Sequence, residues 1–130
     1  MTMSTIFQKI IAREIPSYIL YEDSVHIVIL DIYPMHPGQV LIIPKKPIDY
    51  VFDMPDDEYT HLMSLAKKVA IHMKKVLKAE RIGMVLEGLE VPHVHVKLIP
   101  IDHTHPLDPQ YITKLSSDKA SQLQELLRIL

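Results

Sequence analysis

A chain of 130 residues is long enough for one domain with a single core and too short for two. With 48% hydrophobic and 23% charged residues it reads as soluble and globular, and a net charge of -2 excludes any general attraction to nucleic acid or an anionic membrane, so a phosphate site has to be local. The absence of cysteine excludes disulfides, thiolate zinc sites and a thiol nucleophile.

The first ten residues lack the long apolar core of a secretory leader. No apolar run approaches the roughly 20 residues that span a bilayer, so the expected location is cytoplasmic. Ser4 and Thr5 offer a hydroxyl cap to a short helix whose apolar face is Ile6, Phe7, Ile10 and Ile11, ended by Pro16. Tyr18–Tyr21 and Val25–Asp31 are rich in β-branched and aromatic residues, and Glu22, Asp23 and Ser24 supply the turn of a hairpin. Asp31–Gly38 is a turn-rich connection with two prolines, followed by a strand over Gln39–Ile43 that Pro44 stops.

The clearest element is a long helix over Asp56–Ala79. Tyr59, Leu62, Met63, Ala66, Val69, Ala70, Met73, Val76 and Leu77 hold a 3.6-residue period, with acidic residues at its start and lysines at its end. Arg81–Gly88 and His93–Ile99 read as two further strands. Ser117–Leu130 has helical spacing at Ala120, Leu123, Leu126, Leu127 and Leu130. This order lacks the alternation of a doubly wound fold. It predicts a single α+β domain over residues 1–130, with a five-stranded antiparallel sheet covered by the long helix.

The segment Pro92–Pro100 is the strongest local signal. On a strand His93, His95 and Lys97 share one face while Val94, Val96 and Leu98 take the other. Two imidazoles and an ammonium make a poor core face and a good phosphate site. Imidazole is neutral and nucleophilic near neutral pH, provided one ring nitrogen donates to an acceptor and leaves the other a free lone pair. A backbone carbonyl of the same strand can be that acceptor, and His93, Lys97 and amides near Gly88 can face the oxygens of a phosphate under attack. The alternatives are a solvated sheet edge or a metal half-site. His103 and His105 repeat the spacing and support the metal reading, but Lys97 stands where a third ligand would be expected. The metal reading ranks third, and no metal site or cofactor is assigned.

Pro92–Pro100 resembles the signature of the histidine triad (HIT) superfamily, His-φ-His-φ-His-φ-φ with φ apolar, and carries two of its three histidines. Thr5–Pro16 is similar to the family's opening helix, Leu30–Pro34 and Val40–Lys46 to its nucleoside-binding turn and following strand, and Gly88–His93 to a lead-in of bacterial members of the Hint branch. The likeness covers about residues 5–100 and leaves the tail from Ile101 with little of it. It implies His95 as nucleophile, His93 beside the phosphate and Asp31 as the carboxylate that accepts from the ribose hydroxyls. It also implies Phe7, Ile10, Ile15 and Ile32 as the apolar base pocket, although spacing alone would put these four in plain core packing.

Two departures shape the expected chemistry. Lys97 stands for the third triad histidine and Gln39 for the additional histidine. Lysine keeps charge and donors but stays protonated, and glutamine is no general acid. Charge stabilisation is thus retained and proton delivery weakened. That favours anhydrides, such as acyl adenylates or dinucleoside polyphosphates, over phosphoramidates, whose amine leaving group needs a proton. Glu90 and Glu87 are candidate compensating donors. The expected function is a nucleotidyl hydrolase or transferase acting on purine nucleotide conjugates of AMP or GMP, in a homodimer, with no nucleic-acid or membrane partner. The second reading is a nucleotide-binding sensor or scaffold without useful turnover.

Overall fold

Thr5 starts the first helix by a reciprocal cap: its hydroxyl accepts from the Gln8 amide at 3.1 Å, and the Gln8 side chain accepts from the Thr5 amide at 2.8 Å. The helix, α1 (Ile6–Ile11), buries Phe7 and Ile10. It stops short of Pro16, because Arg13 takes a left-handed φ of 63° and its guanidinium pairs with Glu22. Residues 4–129 are described by this computed structural model.

Strands β1 (Ile19–Glu22) and β2 (His26–Leu30) form the expected hairpin. The Asp23 carboxylate accepts from the amides of Val25 and His26, at 2.8 and 2.6 Å, and so shapes the turn. Every residue of β2 and of β3 (Val40–Pro44) is buried, because both faces of these strands are covered. Val28, Leu30, Val40 and Ile42 pack on one side, and Ile27, Ile29, Leu41 and Ile43 on the side of α1. The connection between β2 and β3 depends on Gly38, at φ +101°, where a Cβ would stand 2.9 Å from a Leu77 methyl.

Helix α2 (Asp56–Leu77) buries Leu62, Ala66, Val69 and Met73 against the sheet and ends on Lys78 in the left-handed region. Strands β4 (Arg81–Val85) and β5 (Val96–Ile101) are shifted from their expected bounds. The pairing of β5 with β3 starts at Ile42↔Val96. Continuing it would bring Val94 opposite Pro44, which has no N–H to give the ladder. Val94 donates instead to the Ile48 carbonyl at 2.8 Å. His93 and His95 therefore sit on the lead-in to the strand, not within it.

Helix α3 (Ser117–Leu127) is capped by the Ser116 hydroxyl and packs Ala120, Leu123 and Leu127 into the same core as α2. Leu130, expected as its last apolar position, lies outside the described residues. The sheet order is β1-β2-β3-β5-β4 with every pair antiparallel. The protein is thus α+β, with α2 and α3 on one face of a five-stranded sheet and α1 on the other. Among the described residues no helix is long and apolar enough to cross a membrane.

Candidate active site

Alternation across β3 and the lead-in to β5 sends Leu41, His95 and Lys97 to the α1 side of the sheet, where a cleft of about 350 Å³ opens. His95 is 7% exposed at its floor. Its Nδ1 lies 2.7 Å from the His93 carbonyl oxygen. The carbonyl can only accept, so Nδ1 carries the proton and Nε2 keeps its lone pair. Burial lowers the His95 pKa against the raising effect of that hydrogen bond, and the Lys97 charge lowers it further, so the ring is neutral at neutral pH. Phe7 meets the ring edge to face, with centroids 4.7 Å apart. That contact fixes the plane of the imidazole.

Asp31 enters the cleft from the end of β2. Its Oδ1 accepts from the Tyr33 amide and its Oδ2 from Gln39 Nε2, both at 2.8 Å. Each oxygen retains a lone pair for a further donor. Gln39, 2% exposed, is committed at both ends, since its Oε1 accepts from the Met35 amide at 2.8 Å. Burial pushes the Asp31 carboxyl up, opposed by the Tyr33 amide and the Lys97 charge. Lys97 lines the same cleft, with its ammonium 3.6 Å from a Glu87 carboxylate oxygen.

The cleft thus gathers His95, Lys97, Gln39, Asp31, Phe7, Glu87 and Glu90. It does not gather all the residues singled out from the sequence. His93 is 1% exposed, and its Nε2 donates to the Pro44 carbonyl at 2.7 Å. It reaches the cleft only through the carbonyl that holds His95. Ile10 is buried in the same cluster as Phe7, Ile15 packs against that cluster, and Ile32, 38% exposed, is not among the residues that line the cleft. The apolar walls come instead from Ile6, Leu41, Val91, Met35 and Ile112. Leu41 was readable from alternation with Gln39. Ile112 was not, because the tail reaches the site through backbone bonds: Thr113 donates to the Pro34 carbonyl and Leu115 to that of Ile32. His103 and His105 lie elsewhere, paired with Glu80 and Asp102.

Residues 12–104 match the family model described as HIT domain. An uncharacterised HIT-like protein of Methanocaldococcus jannaschii is 39% identical over 100 residues, which span 73% of this chain and 77% of that protein. The adenosine 5'-monophosphoramidase of Saccharomyces cerevisiae is also 39% identical over 100 residues, spanning 73% of this chain and 61% of that enzyme. A Hit-like protein involved in cell-cycle regulation from Bartonella henselae superposes with a TM-score of 0.86 at 28% identity, covering 95% of this chain and 93% of that one.

Proposed function

The chain belongs to the HIT domain family, and from that membership and the setting of His95 we infer that it is a nucleotidyl hydrolase or transferase acting on purine nucleotide conjugates. The observation that supports this most is the 2.7 Å contact between His95 Nδ1 and the His93 carbonyl, which leaves a neutral Nε2 facing a cleft that also holds a cation and a carboxylate. In the first step Nε2 attacks the α-phosphorus, a P–N bond forms, and the bond from phosphorus to the leaving group breaks with its electron pair. In the second, water attacks the same phosphorus and gives up a proton to solvent, the P–N bond breaks with its electron pair returning to Nε2, and the nucleoside monophosphate leaves. Lys97 faces the non-bridging oxygens, where charge sits in the transition state. The likeness to an adenosine 5'-monophosphoramidase supports an AMP conjugate as substrate.

A second reading has its own support. Gln39 is bonded at both ends within the protein and Lys97 is paired with Glu87, so neither is an obvious proton donor to a leaving group. Those commitments favour a nucleotide-binding sensor or scaffold. Incubation with an adenosine phosphoramidate and with an acyl adenylate separates the two: released AMP with a protein-bound nucleotide, followed by mass spectrometry, supports turnover. Tight AMP binding with neither product supports the sensor.

We assign the ribose hydroxyls to Asp31, which lines the cleft and whose two oxygens can each accept a further hydrogen bond. AMP is expected to bind more tightly than its dideoxy analogue by about 1–3 kcal/mol, the scale of a buried acceptor left unmatched. Asp31→Ala should erase the difference in calorimetric titrations. Equal affinities in the unaltered protein would remove Asp31 from nucleoside recognition.

We also propose a homodimer. Strand β4 closes the sheet order with one unpaired edge, and Met84 on it is 50% exposed. Light scattering at micromolar concentration should give twice the chain mass of 15.0 kDa. A mass of one chain would count against it.

A further inference from the structure

Across the sheet from His95, a second group of ligating side chains converges that the chemistry above does not use. His26 opens β2 and shares its face with Val28 and Leu30, so its ring points toward α2, where it is 1% exposed. His61, in the second turn of α2, is exposed and meets that ring edge to face, with centroids 4.6 Å apart at 83°. Asp23 completes the triangle from the β1–β2 turn. One ring nitrogen from each histidine and one carboxylate oxygen all lie within 4.8 Å of one another, the one group of three such ligands among the described residues.

The distances are informative. His26 Nδ1 stands 3.4 Å from the Asp23 carboxylate, which is long for a hydrogen bond of an imidazole. Two ligands at about 2.0–2.1 Å from one tetrahedral ion are separated by about 3.3–3.4 Å, the same spacing. The carboxylate is also held from outside, as ligating carboxylates are. Its Oδ1 accepts from the amides of Val25 and His26, and its Oδ2 from the Tyr21 hydroxyl at 2.9 Å. Both groups are in the protonation state a metal requires. Burial raises the Asp23 carboxyl, but the Val25 and His26 amides and the Tyr21 hydroxyl outweigh it and hold the pKa at about 2. Burial keeps the His26 ring neutral against the pull of Asp23.

We propose that Asp23, His26 and His61 form a binding site for a divalent ion of the zinc class, with water completing the tetrahedron. A cavity of about 300 Å³ bordered by Tyr21, Asp23, His61, Ser64 and Lys68 supplies room for that water. Two nitrogens and one oxygen select late first-row transition ions. Calcium and magnesium need several oxygens, and this group of three ligands offers a single carboxylate. The bound ion ties the β1–β2 turn to α2 and so stabilises the folded chain.

Cobalt and zinc chloride are the probes. Protein stripped with a chelator should take up one Co²⁺ per chain with the visible absorption of a tetrahedral ion, displaced by Zn²⁺, and Zn²⁺ should raise the melting temperature. His61→Ala, a change at an exposed position that leaves the core intact, should weaken binding at least roughly tenfold, since loss of even a supporting outer group costs a metal site 10–100-fold. Asp23→Asn should do the same, whereas a His103→Ala, His105→Ala pair should bind as the unaltered protein does. Nucleotide labelling at His95, on the other face, should not change with metal, so this site stands or falls apart from the function proposed above. No stoichiometric uptake, or uptake that survives His61→Ala and Asp23→Asn, overturns the proposal.

Discussion

Replacing His95 with alanine is expected to abolish the nucleotidyl-enzyme and to lower turnover by about 10⁴-fold or more, the scale on which loss of a covalent nucleophile is felt. No neighbour can take over. His93 is 1% exposed and its Nε2 is bound to the Pro44 carbonyl, while the Lys97 side chain is engaged by a Glu87 carboxylate oxygen at 3.6 Å. The pH dependence adds a second signature. Burial and the Lys97 charge lower the His95 pKa, so its neutral form persists below the ordinary histidine value of about 6.5. The acid limb of labelling should accordingly fall below that value, with rate lost as pH drops through the lowered pKa and not before. Mass spectrometry of intact protein after incubation with an adenylate conjugate reads both effects. Labelling that persists in His95→Ala means that the nucleophile is another residue.

The second large effect is selective. Lys97→His combined with Gln39→His should raise turnover of a phosphoramidate roughly 10²–10⁴-fold more than turnover of an acyl adenylate. An amine leaves only with a proton, which an imidazole of suitable pKa delivers, whereas a carboxylate leaves without one. The Gln39 contacts complicate that pair, because this amide anchors Asp31 and the Met35 amide. A neutral imidazole has one donor and one acceptor to replace them, in a different geometry. Lys97→His alone leaves the anchor intact, and its gain on the phosphoramidate isolates the proton. Equal gains on both substrates would mean that the histidines act on phosphate geometry, and the leaving-group argument would fail.

Much of this architecture was legible because its causes are local. The Thr5 cap, the 3.6-residue period of α2 and the alternation through Val94 and Val96 each follow from a short window of residues. What was not legible depends on register and on distant backbone. The sequence placed His93 at the phosphate, yet Pro44, 49 residues away, draws its ring into a buried hydrogen bond. Gln39 looked like a lost proton donor, and its role as anchor of Asp31 appears only once the β2–β3 connection folds back. The wall formed by Ile112 had no periodic signal, since a tail held by carbonyls can carry almost any side chain. The grouping of Asp23, His26 and His61 likewise needs the pairing of a hairpin with a helix 35 residues further on, by sequence number from His26 to His61.

Helix α1 has only six residues, well below the roughly 12–15 at which a helix begins to hold by itself in water. It persists through its reciprocal cap and the burial of Phe7 and Ile10, and Phe7 is also what steadies the His95 ring. The cleft is therefore built from parts of unequal durability: Leu41 and Lys97 stand on strands paired within the sheet, whereas the α1 wall is expected to open at lower free energy than the rest. Warming the protein is expected to loosen that wall first. Affinity for a nucleotide should then decline while the sheet is still intact, so binding measured against temperature should fall before the unfolding transition.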